Sequence, residues 1–318
     1  MNVVAIIRWG HETQIINIDW LWKPLIPYGK VTIVVGDGGD GKTTLILTIA
    51  ALLSQGTPPP TLRDGHLYPS DPVEPVTTFY LTNEDEIADS SLKRFLRAGG
   101  DTKRFAYSGE LEYHVTLKED ELLEIIEKTS ARLVIIDPFQ AFLPEGTNMG
   151  SITRMRSIFT MLANVAKSTG AAIVLVGHLN KNEGSKDIHR GFGSADISAS
   201  VRSILMVEMD KQRNRFVRAI KSNFDESDYS PIQLVFDKER RLSFQEVEDD
   251  ADTPVAETKI DRAVSILSAV LEDGPLPVSE INGIMEAEDI GPKTAQRARA
   301  RIGAVQFYDK GIPCWKLP

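Results

Sequence analysis

The segment "GDGGDGKT" at residues 36–43 has the residue types and the spacing of a phosphate-binding loop. Gly36, Gly41, Lys42 and Thr43 satisfy the pattern G-x-x-x-x-G-K-[ST], after a β-branched run and at the start of an apolar helical pattern. Glycines allow the backbone to wrap a phosphate with its N–H groups, and the helix N-terminus adds partial positive charge. The sequence therefore predicts that this loop holds a nucleoside triphosphate.

The side chains of the loop have distinct expected roles. Lys42 is expected to reach the β- and γ-phosphates, and the Thr43 hydroxyl to bind Mg²⁺. The side chains of Asp37 and Asp40 should point away from an anion, so that only their backbone amides contribute. The predicted nucleotide-binding residues are Gly36, Gly38, Gly39, Asp40, Gly41, Lys42, Thr43 and Thr44.

Three more apolar runs end in residues suited to ATP chemistry. "RLVIIDPFQAF" ends a predicted strand at Asp137, whose carboxylate could hold Mg²⁺ through water. "TTFYLTNEDE" ends at Glu84, the first choice for the carboxylate that positions and polarises an attacking water, ahead of Asp85 and Glu86. "AAIVLVGHLNK" ends at His178, which could donate to the γ-phosphate and report hydrolysis to the following loop.

Each of these residues also has a purely structural interpretation. Asp137 could begin a turn before Pro138, and the acidic residues 84–86 could simply start a helix, where the dipole favours them. Lone histidines are often structural as well. The order of all four segments along one chain favours the functional interpretation.

Apolar runs alternate with helical stretches from Val31 onward, which predicts an α/β fold with a mostly parallel sheet. A Trp-rich lead-in within residues 1–30 is expected to pack on the core, and the Pro- and Gly-rich segment 56–75 to form a surface loop. The predicted strands cover residues 31–35, 77–82, 133–137, 172–177, 203–208, 215–221 and 233–237. The predicted helices cover residues 43–54, 90–98, 118–129 and 151–167.

Composition restricts the class of protein. The 318 residues are 42% hydrophobic and 25% charged, which is ordinary for a globular protein, and the apolar runs are too short to span a bilayer. A single cysteine excludes an internal disulfide framework and fits a reducing cytoplasm, so we expect a cytoplasmic protein. We also expect no secretory signal, because the first residues lack the pattern of a basic, apolar, small-residue leader. The net charge of −9 argues against a globally basic nucleic-acid coat, although a local basic surface remains compatible with it.

The motifs resemble the RecA-like ATPases, and within them the RepA-like branch of plasmid, phage and mobile-element replication proteins. The resemblance covers about residues 17–240 and is carried by the order of "WLWKPLIPYGKVTIVVGDGGDGKTTL", "FYLTNEDE", "LVIIDPFQAF", "GHLNK", "GFGSADISASVRSILMVE" and "KSNF". It implies a RecA-like core at residues 1–245, with ATP and Mg²⁺ as cofactors. It also implies a hexameric ring that moves on single-stranded DNA, with Glu84 as the catalytic glutamate.

In that family a basic residue of the neighbouring subunit completes each nucleotide site. Arg202 and Lys221 match the family's basic positions, but Asn223 stands where related proteins often have an arginine. This departure favours Arg202 or Arg218 over Lys221, and a surface charge without a role is the alternative for Arg202.

The segment 180–196 corresponds to a family loop that faces the ring centre. Its basic residues Lys181, Lys186 and Arg190, with Phe192 among glycines, would suit single strands through phosphate contacts and stacking. The alternative is an ordinary connecting loop.

An acidic linker is predicted at residues 246–257, followed by a small domain at 258–318. Its pattern of three helices and a hairpin resembles a winged-helix domain, with helices at 278–287 and 292–302. The last helix contains Lys293, Arg297, Arg299 and Arg301 and no acidic residue, which indicates a DNA-reading helix. The alternatives are a protein-contact module or a basic solvated face.

Three functions are compatible with these features. The first is Mg-ATP hydrolysis coupled to movement on or remodelling of DNA, as in a replicative helicase-like motor, with a primase or another replication protein as a possible partner. The second is an ATP-switched regulator or loader that binds duplex DNA through the winged helix without unwinding it. The third is a non-hydrolysing structural subunit, which the presence of both Glu84 and Asp137 argues against.

Overall fold

The computed structural model describes most of the chain as two compact units, Met1–Glu248 and Asp249–Pro318. The described residues are 9, 17–83, 87, 88, 90–108, 117–144, 151–178, 201–224, 228–247, 259–272, 274–288, 290–309 and 311–317. The side chains of residues 152, 178, 259–261 and 293 are outside this description.

The first unit is built on a nine-stranded sheet with the order β13-β12-β11-β10-β3-β9-β8-β6-β7. The six strands from β10 to β7 in this order are parallel, whereas β10 to β13 pair antiparallel in sequence. The strands are β3 (Val31–Gly36), β6 (Thr78–Leu81), β7 (Phe105–Tyr107), β8 (Leu133–Ile136), β9 (Ala172–His178), β10 (Ser203–Met209), β11 (Arg215–Ser222), β12 (Ile232–Phe236) and β13 (Leu242–Glu246). The α/β fold with a mostly parallel sheet agrees with the sequence pattern.

Helices cover both faces of the sheet, so β3, β6 and β8 are buried along their whole length. One core contains α1 residues such as Leu45 and Ile49, and the other contains α3 and α4 residues such as Ile126 and Phe159. The helices of this unit are α1 (Lys42–Ser54), α2 (Ser91–Arg97), α3 (Glu119–Thr129) and α4 (Ile152–Thr169). Among the described residues of this unit, 3₁₀ turns lie at Thr102–Arg104 and Phe139–Phe142.

The lead-in before β3 packs as the sequence indicates. It forms the small pair β1 (Trp20–Trp22) and β2 (Ile26–Pro27). Trp22 is 1% exposed, and its indole Nε1 donates a hydrogen bond of 2.9 Å to the Pro60 carbonyl. This bond connects the lead-in to the segment that follows α1.

The segment 56–75 is more ordered than the predicted surface loop. It contains the hairpin β4 (Thr61–Arg63) and β5 (His66–Tyr68). The Glu246 carboxylate on β13 accepts a 2.8 Å hydrogen bond from the Leu67 backbone N–H, so the hairpin is attached to the edge strand of the sheet. The predicted surface loop therefore contains a hairpin at residues 61–68, which the sequence pattern did not indicate.

The second unit has its own core around Trp315, which is fully buried among Leu267, Ile281 and Ala298. Its strands β14, β16 and β15 form a small antiparallel sheet in that order. Its elements are α5 (Lys259–Glu272), β14 (Leu276–Pro277), α6 (Val278–Ala287), α7 (Pro292–Arg301), β15 (Val305–Asp309) and β16 (Ile312–Lys316). Among the described helices of both units, none combines the length and apolarity that a membrane crossing requires.

Gly36 is tightly packed at the end of β3. A Cβ at this position would lie 2.2 Å from the Val207 carbonyl oxygen of the neighbouring strand. We therefore expect Gly36→Ala to lower the free energy of unfolding by about 1–3 kcal/mol, the usual cost of overpacking a core. Urea denaturation followed by circular dichroism measures this change.

Gly38→Ala is the matched control, because a Cβ there would meet nothing within 4 Å. If both variants unfold at the same urea concentration, the close approach of β3 and β10 at Gly36 is not a constraint on stability.

Candidate active site

The phosphate loop lies at the carboxyl edge of the parallel strands, where four of them end side by side. Gly36 at the end of β3 is in register with His178 at the end of β9. Asp137 directly follows β8, and its backbone N–H donates to the Leu81 carbonyl at the end of β6. Ligands of open α/β sheets bind at this edge.

The loop itself is shaped by glycines with left-handed backbone. Gly39 has φ of 90° and Gly41 has φ of 103°, values that other residues rarely adopt. Lys42 is only 4% exposed, and its Nζ donates to the carbonyls of Gly36 at 2.9 Å and Asp37 at 2.7 Å. These bonds fix the ammonium group inside the loop, close to where a bound phosphate would lie.

Asp40 braces the loop from within. Its Oδ2 accepts a 2.7 Å hydrogen bond from the Asp37 backbone N–H, and its side chain is 7% exposed. Burial raises the pKa of the Asp40 carboxyl, and the hydrogen bond from Asp37 acts in the opposite direction. The backbone amides of Asp37 and Asp40 were both expected to contact a phosphate. The amide of Asp37 is instead already bonded to the Asp40 carboxylate.

Thr43 and Asp137 meet although they lie far apart in sequence. The Thr43 hydroxyl donates a 2.7 Å hydrogen bond to Asp137 Oδ2, and the Tyr80 hydroxyl donates to the same oxygen at 3.2 Å. Asp137 is 2% exposed. Burial, with the nearby Asp137 charge, raises the pKa of Tyr80 well above its usual range, so this hydroxyl remains a donor.

A hydroxyl and a carboxylate oxygen in contact are the donor types that Mg²⁺ prefers. In the described part of the chain no group of three or more His, Cys, Asp or Glu side chains could hold a metal ion. The pair fits a cation that takes its other ligands from phosphate oxygens and water, which is the usual manner of Mg²⁺ binding at nucleotides.

Several predicted site residues lie outside the described part of the chain. These are Glu84 with its neighbours Asp85 and Glu86, the side chain of His178, and the loop residues Lys181, Lys186 and Arg190. In the described backbone, β6 and β9 both end at this edge. His178 is the last residue of β9, and Glu84 follows β6 in the sequence.

The three candidates for a neighbour's basic residue differ in their surroundings. Arg218 is 5% exposed and pairs with the Glu208 carboxylate at 2.9 Å, which ties up its guanidinium within the chain. Lys221 donates to the Val201 carbonyl at 2.6 Å, and burial together with the Arg202 charge lowers its pKa. Arg202 is exposed.

Arg202 and Lys221 lie at the edge where the parallel strands begin, opposite the edge that holds the phosphate loop. Ser203 pairs with Thr32 near the start of β3, and Ile204 pairs with Lys221. The length of β3, about 17 Å at ~3.3 Å per residue, separates this edge from the loop of the same chain. Arg202 and Lys221 therefore lie far from the phosphate loop of their own chain.

A cavity of about 250 Å³ beside α1 was not predicted. It lies next to Thr44 of the phosphate-loop segment, and its wall is strongly basic. Its lining residues are Thr44, Thr48, Ser90, Lys93, Arg94, Arg97, Ala98, Phe236, Arg240, Arg241 and Leu242. The cluster "LKRFLR" in α2 is the sequence signal that could have indicated it, because three cations at this helical spacing cover one side of a helix.

The basic residues of α7 fall into two groups. Arg297 and Arg301 are exposed. Arg299 is half-buried, lies 5.2 Å from the Trp315 ring centroid and donates to Gln306 at 2.9 Å, so it contributes to the packing of the unit. Lys293 is the second residue of α7.

Comparison with known proteins gives relatives for the first unit. The chain is 24% identical over 229 residues to the DNA repair protein RadA of Mycobacterium tuberculosis (strain CDC 1551 / Oshkosh), covering 71% of this chain and 42% of RadA. It is 28% identical over 207 residues to RadA of Brucella abortus (strain 2308), covering 63% of this chain and 38% of that protein. The chain thus spans about two fifths of the length of these curated relatives.

Among solved structures, the crystal structure of the KaiC-like protein PH0186 from Pyrococcus horikoshii OT3 is similar with a TM-score of 0.46 and 12% sequence identity. That superposition covers 69% of this chain and 90% of the other.

A family model described as an AAA domain matches residues 6–184, a segment that contains the phosphate loop, Asp137 and His178. With the RadA relatives, this match supports the broad family of RecA-fold ATPases. Because the matched segment is more than half of the 318 residues, the protein belongs to the AAA domain family of P-loop ATPases.

Proposed function

We propose that the protein hydrolyses Mg-ATP and couples hydrolysis to movement on DNA or to its remodelling, as a replicative helicase-like motor of the RepA-like branch. The observation that carries the proposal is the contact between Thr43 and Asp137 beside the buried Lys42. This arrangement joins a metal-binding pair to a phosphate cradle, which is the part of an ATPase that positions charge for phosphoryl transfer.

The nucleotide would occupy the loop and the basic cavity together. The triphosphate fits the loop around Lys42, and the base fits the cavity beside Thr44, where Phe236 and Arg94 can stack on a planar ring. Thr43 would bind Mg²⁺ directly and Asp137 through water. When bound, Mg²⁺ supplies positive charge that stabilises the phosphates as negative charge develops.

The remaining steps belong to residues around this cradle. Glu84 would orient and polarise the attacking water, and His178 would contact the γ-phosphate and relay its loss to the loop at 180–196. In that loop Lys181, Lys186 and Arg190 would contact single-stranded DNA.

Arg202 is the favoured residue for completing a neighbour's site in a homo-oligomeric ring, proposed as a hexamer. It is exposed, whereas Arg218 is buried against Glu208, and Lys221 is bonded to a carbonyl. An arginine supplied in this way can accelerate phosphoryl transfer about 10³–10⁵-fold.

The second unit provides the support for an alternative function, an ATP-switched regulator or loader that binds duplex DNA without unwinding it. Its order of helices and strands, α5-β14-α6-α7-β15-β16, resembles that of a winged-helix domain, which supports this alternative. The exposed Arg297 and Arg301 of α7 would contact phosphates or bases in the major groove. A protein that reads duplex DNA in this way needs no central loop.

Glu84→Gln is expected to abolish ATP hydrolysis while ATP still binds, because the amide retains the size of the side chain but cannot act as a base. Steady-state hydrolysis with Mg²⁺, measured with no DNA, single-stranded DNA or duplex DNA, tests this directly. The motor predicts stimulation by single strands, and the switch predicts stimulation by duplex.

Normal hydrolysis by Glu84→Gln would contradict the assignment and direct attention to Asp85 or Glu86. Lys42→Ala is the companion variant, because it should lose nucleotide binding itself.

Mixing two inactive variants tests the trans role of Arg202. Lys42→Ala and Arg202→Ala should each be inactive alone, but a mixed ring contains interfaces that join an intact loop to an intact arginine. We therefore expect hydrolysis to reappear on mixing. Activity that stays at the sum of the separate variants would show that Arg202 does not act across an interface.

Arg297→Gln with Arg301→Gln in the full-length chain should weaken duplex binding and lower its salt dependence. Each lost phosphate contact reduces the slope of log K against log salt by about 0.9, so a reduction of roughly 2 is expected. Fluorescence anisotropy at several salt concentrations measures both. Arg262→Gln is the control for loss of an arginine elsewhere in the same unit, because Arg262 lies on α5 and pairs with Glu288. An unchanged slope in the double variant would exclude α7 as the DNA contact.

A further inference from the structure

Arg215 stands beside the phosphate loop, although it belongs to a different part of the chain. It is the first residue of β11 and pairs with Met209 and Leu234 on the flanking strands. A Cβ on Gly41 would lie 3.6 Å from Arg215 Cδ and 3.8 Å from its Nε. The side chain therefore packs directly against the residue that precedes Lys42.

The same side chain reaches toward the basic cavity. The guanidinium of Arg215 lies 5.3 Å from the ring centroid of Phe236, a residue that lines the cavity. Phe236 itself is 3.9 Å from the Cβ position of Gly41. Arg215 and the cavity residue Phe236 thus lie together beside Gly41 of the phosphate loop.

In the described part of the chain Arg215 forms no ion pair, whereas two nearby arginines do. Arg218 pairs with Glu208, and Arg241 pairs with Asp237. Burial raises the pKa of the nearby Asp40 carboxyl, and the charge of Arg215 opposes this rise, but Asp40 is hydrogen-bonded to the Asp37 backbone. A half-buried guanidinium next to a phosphate cradle suits an anionic ligand, because its planar donors match phosphate oxygens.

We propose that Arg215 contacts the phosphates of the bound nucleotide in cis, at the point where they leave the loop toward the base cavity. The inference rests on the proposed nucleotide site and adds a ligand residue that the phosphate-loop pattern does not include. Since the contact lies on the Gly41 side of the loop and toward the base, it concerns the α- or β-phosphate. It strengthens the binding of ADP and ATP alike, whereas a residue that touches only the γ-phosphate would favour ATP.

Gly41 lies beside Arg215 at the start of α1. Its positive φ of 103° requires a residue without a side chain, and a Cβ there would be in ordinary van der Waals contact with Arg215. The approach of a cation to the first turn of α1 opposes the helix dipole and costs free energy without a ligand. A bound phosphate between them removes that cost, which links the position of Arg215 to nucleotide binding.

The test compares the dissociation constants of ADP and ATP in full-length variants. Arg215→Met keeps the aliphatic stem over the Phe236 ring but removes the charge, and we expect it to weaken both nucleotides about tenfold, as for a lost charge-assisted hydrogen bond. Arg215→Lys keeps the charge and should recover part of the affinity. Arg213→Gln removes a cation two residues away and should leave both constants within twofold of the parent.

Three outcomes distinguish the possibilities. Equal ADP and ATP affinities in Arg215→Met and the parent protein, with binding lost in Lys42→Ala, would overturn the inference and leave the nucleotide site intact. Affinity lost equally in Arg215→Met and Arg215→Lys, with a lowered melting temperature in both, would assign Arg215 to packing and also overturn it. Absence of nucleotide binding in the parent protein would instead refute the proposed function on which the inference rests.

Discussion

The hydrogen bond between the Thr43 hydroxyl and Asp137 is the interaction on which the candidate site depends. It joins residues 94 positions apart, at the start of α1 and at the end of β8, across the intervening strand β9. Tyr80 donates to the same carboxylate oxygen from β6, so three elements converge on one buried charge. A buried carboxylate is tolerated only where hydrogen bonds or cations compensate it, and this constraint holds the edge of the sheet in one arrangement.

The phosphate loop is organised in the same way, by polar groups that satisfy one another. Lys42 is held by two backbone carbonyls, and the Asp37 amide is held by Asp40. The loop is thus largely shaped before a ligand binds, and little ordering entropy would be lost on binding. Burial raises the pKa of Asp40, and the charges of Lys42 and Arg215 oppose this rise, so the two cations offset part of the electrostatic cost of an aspartate inside an anion site.

The parts of the structure that the sequence predicted are those with strong local signals. The five predicted strands of the parallel part of the sheet and the two predicted antiparallel strands lie within one or two residues of the observed ones, because long buried apolar runs identify them. Strand β7 (Phe105–Tyr107) was missed because three residues show no period, and β13 because it is half exposed. The basic cavity and Arg215 depend on contacts between α1, α2 and the strands β11 to β13, which no local pattern encodes.

The edge of the sheet opposite the phosphate loop gathers positive charge. The pKa of Lys30 is lowered by burial and by the charges of Arg202 and Lys167, and that of Lys221 is lowered by burial and by Arg202. Like charges held this close destabilise an isolated chain, and an anion between them would reverse the sign of the interaction. In the proposed ring, a neighbouring subunit that presented its nucleotide phosphates to this edge would supply such an anion. The repulsion at Arg202 in a single chain would then contribute to the free energy that favours assembly with ATP bound.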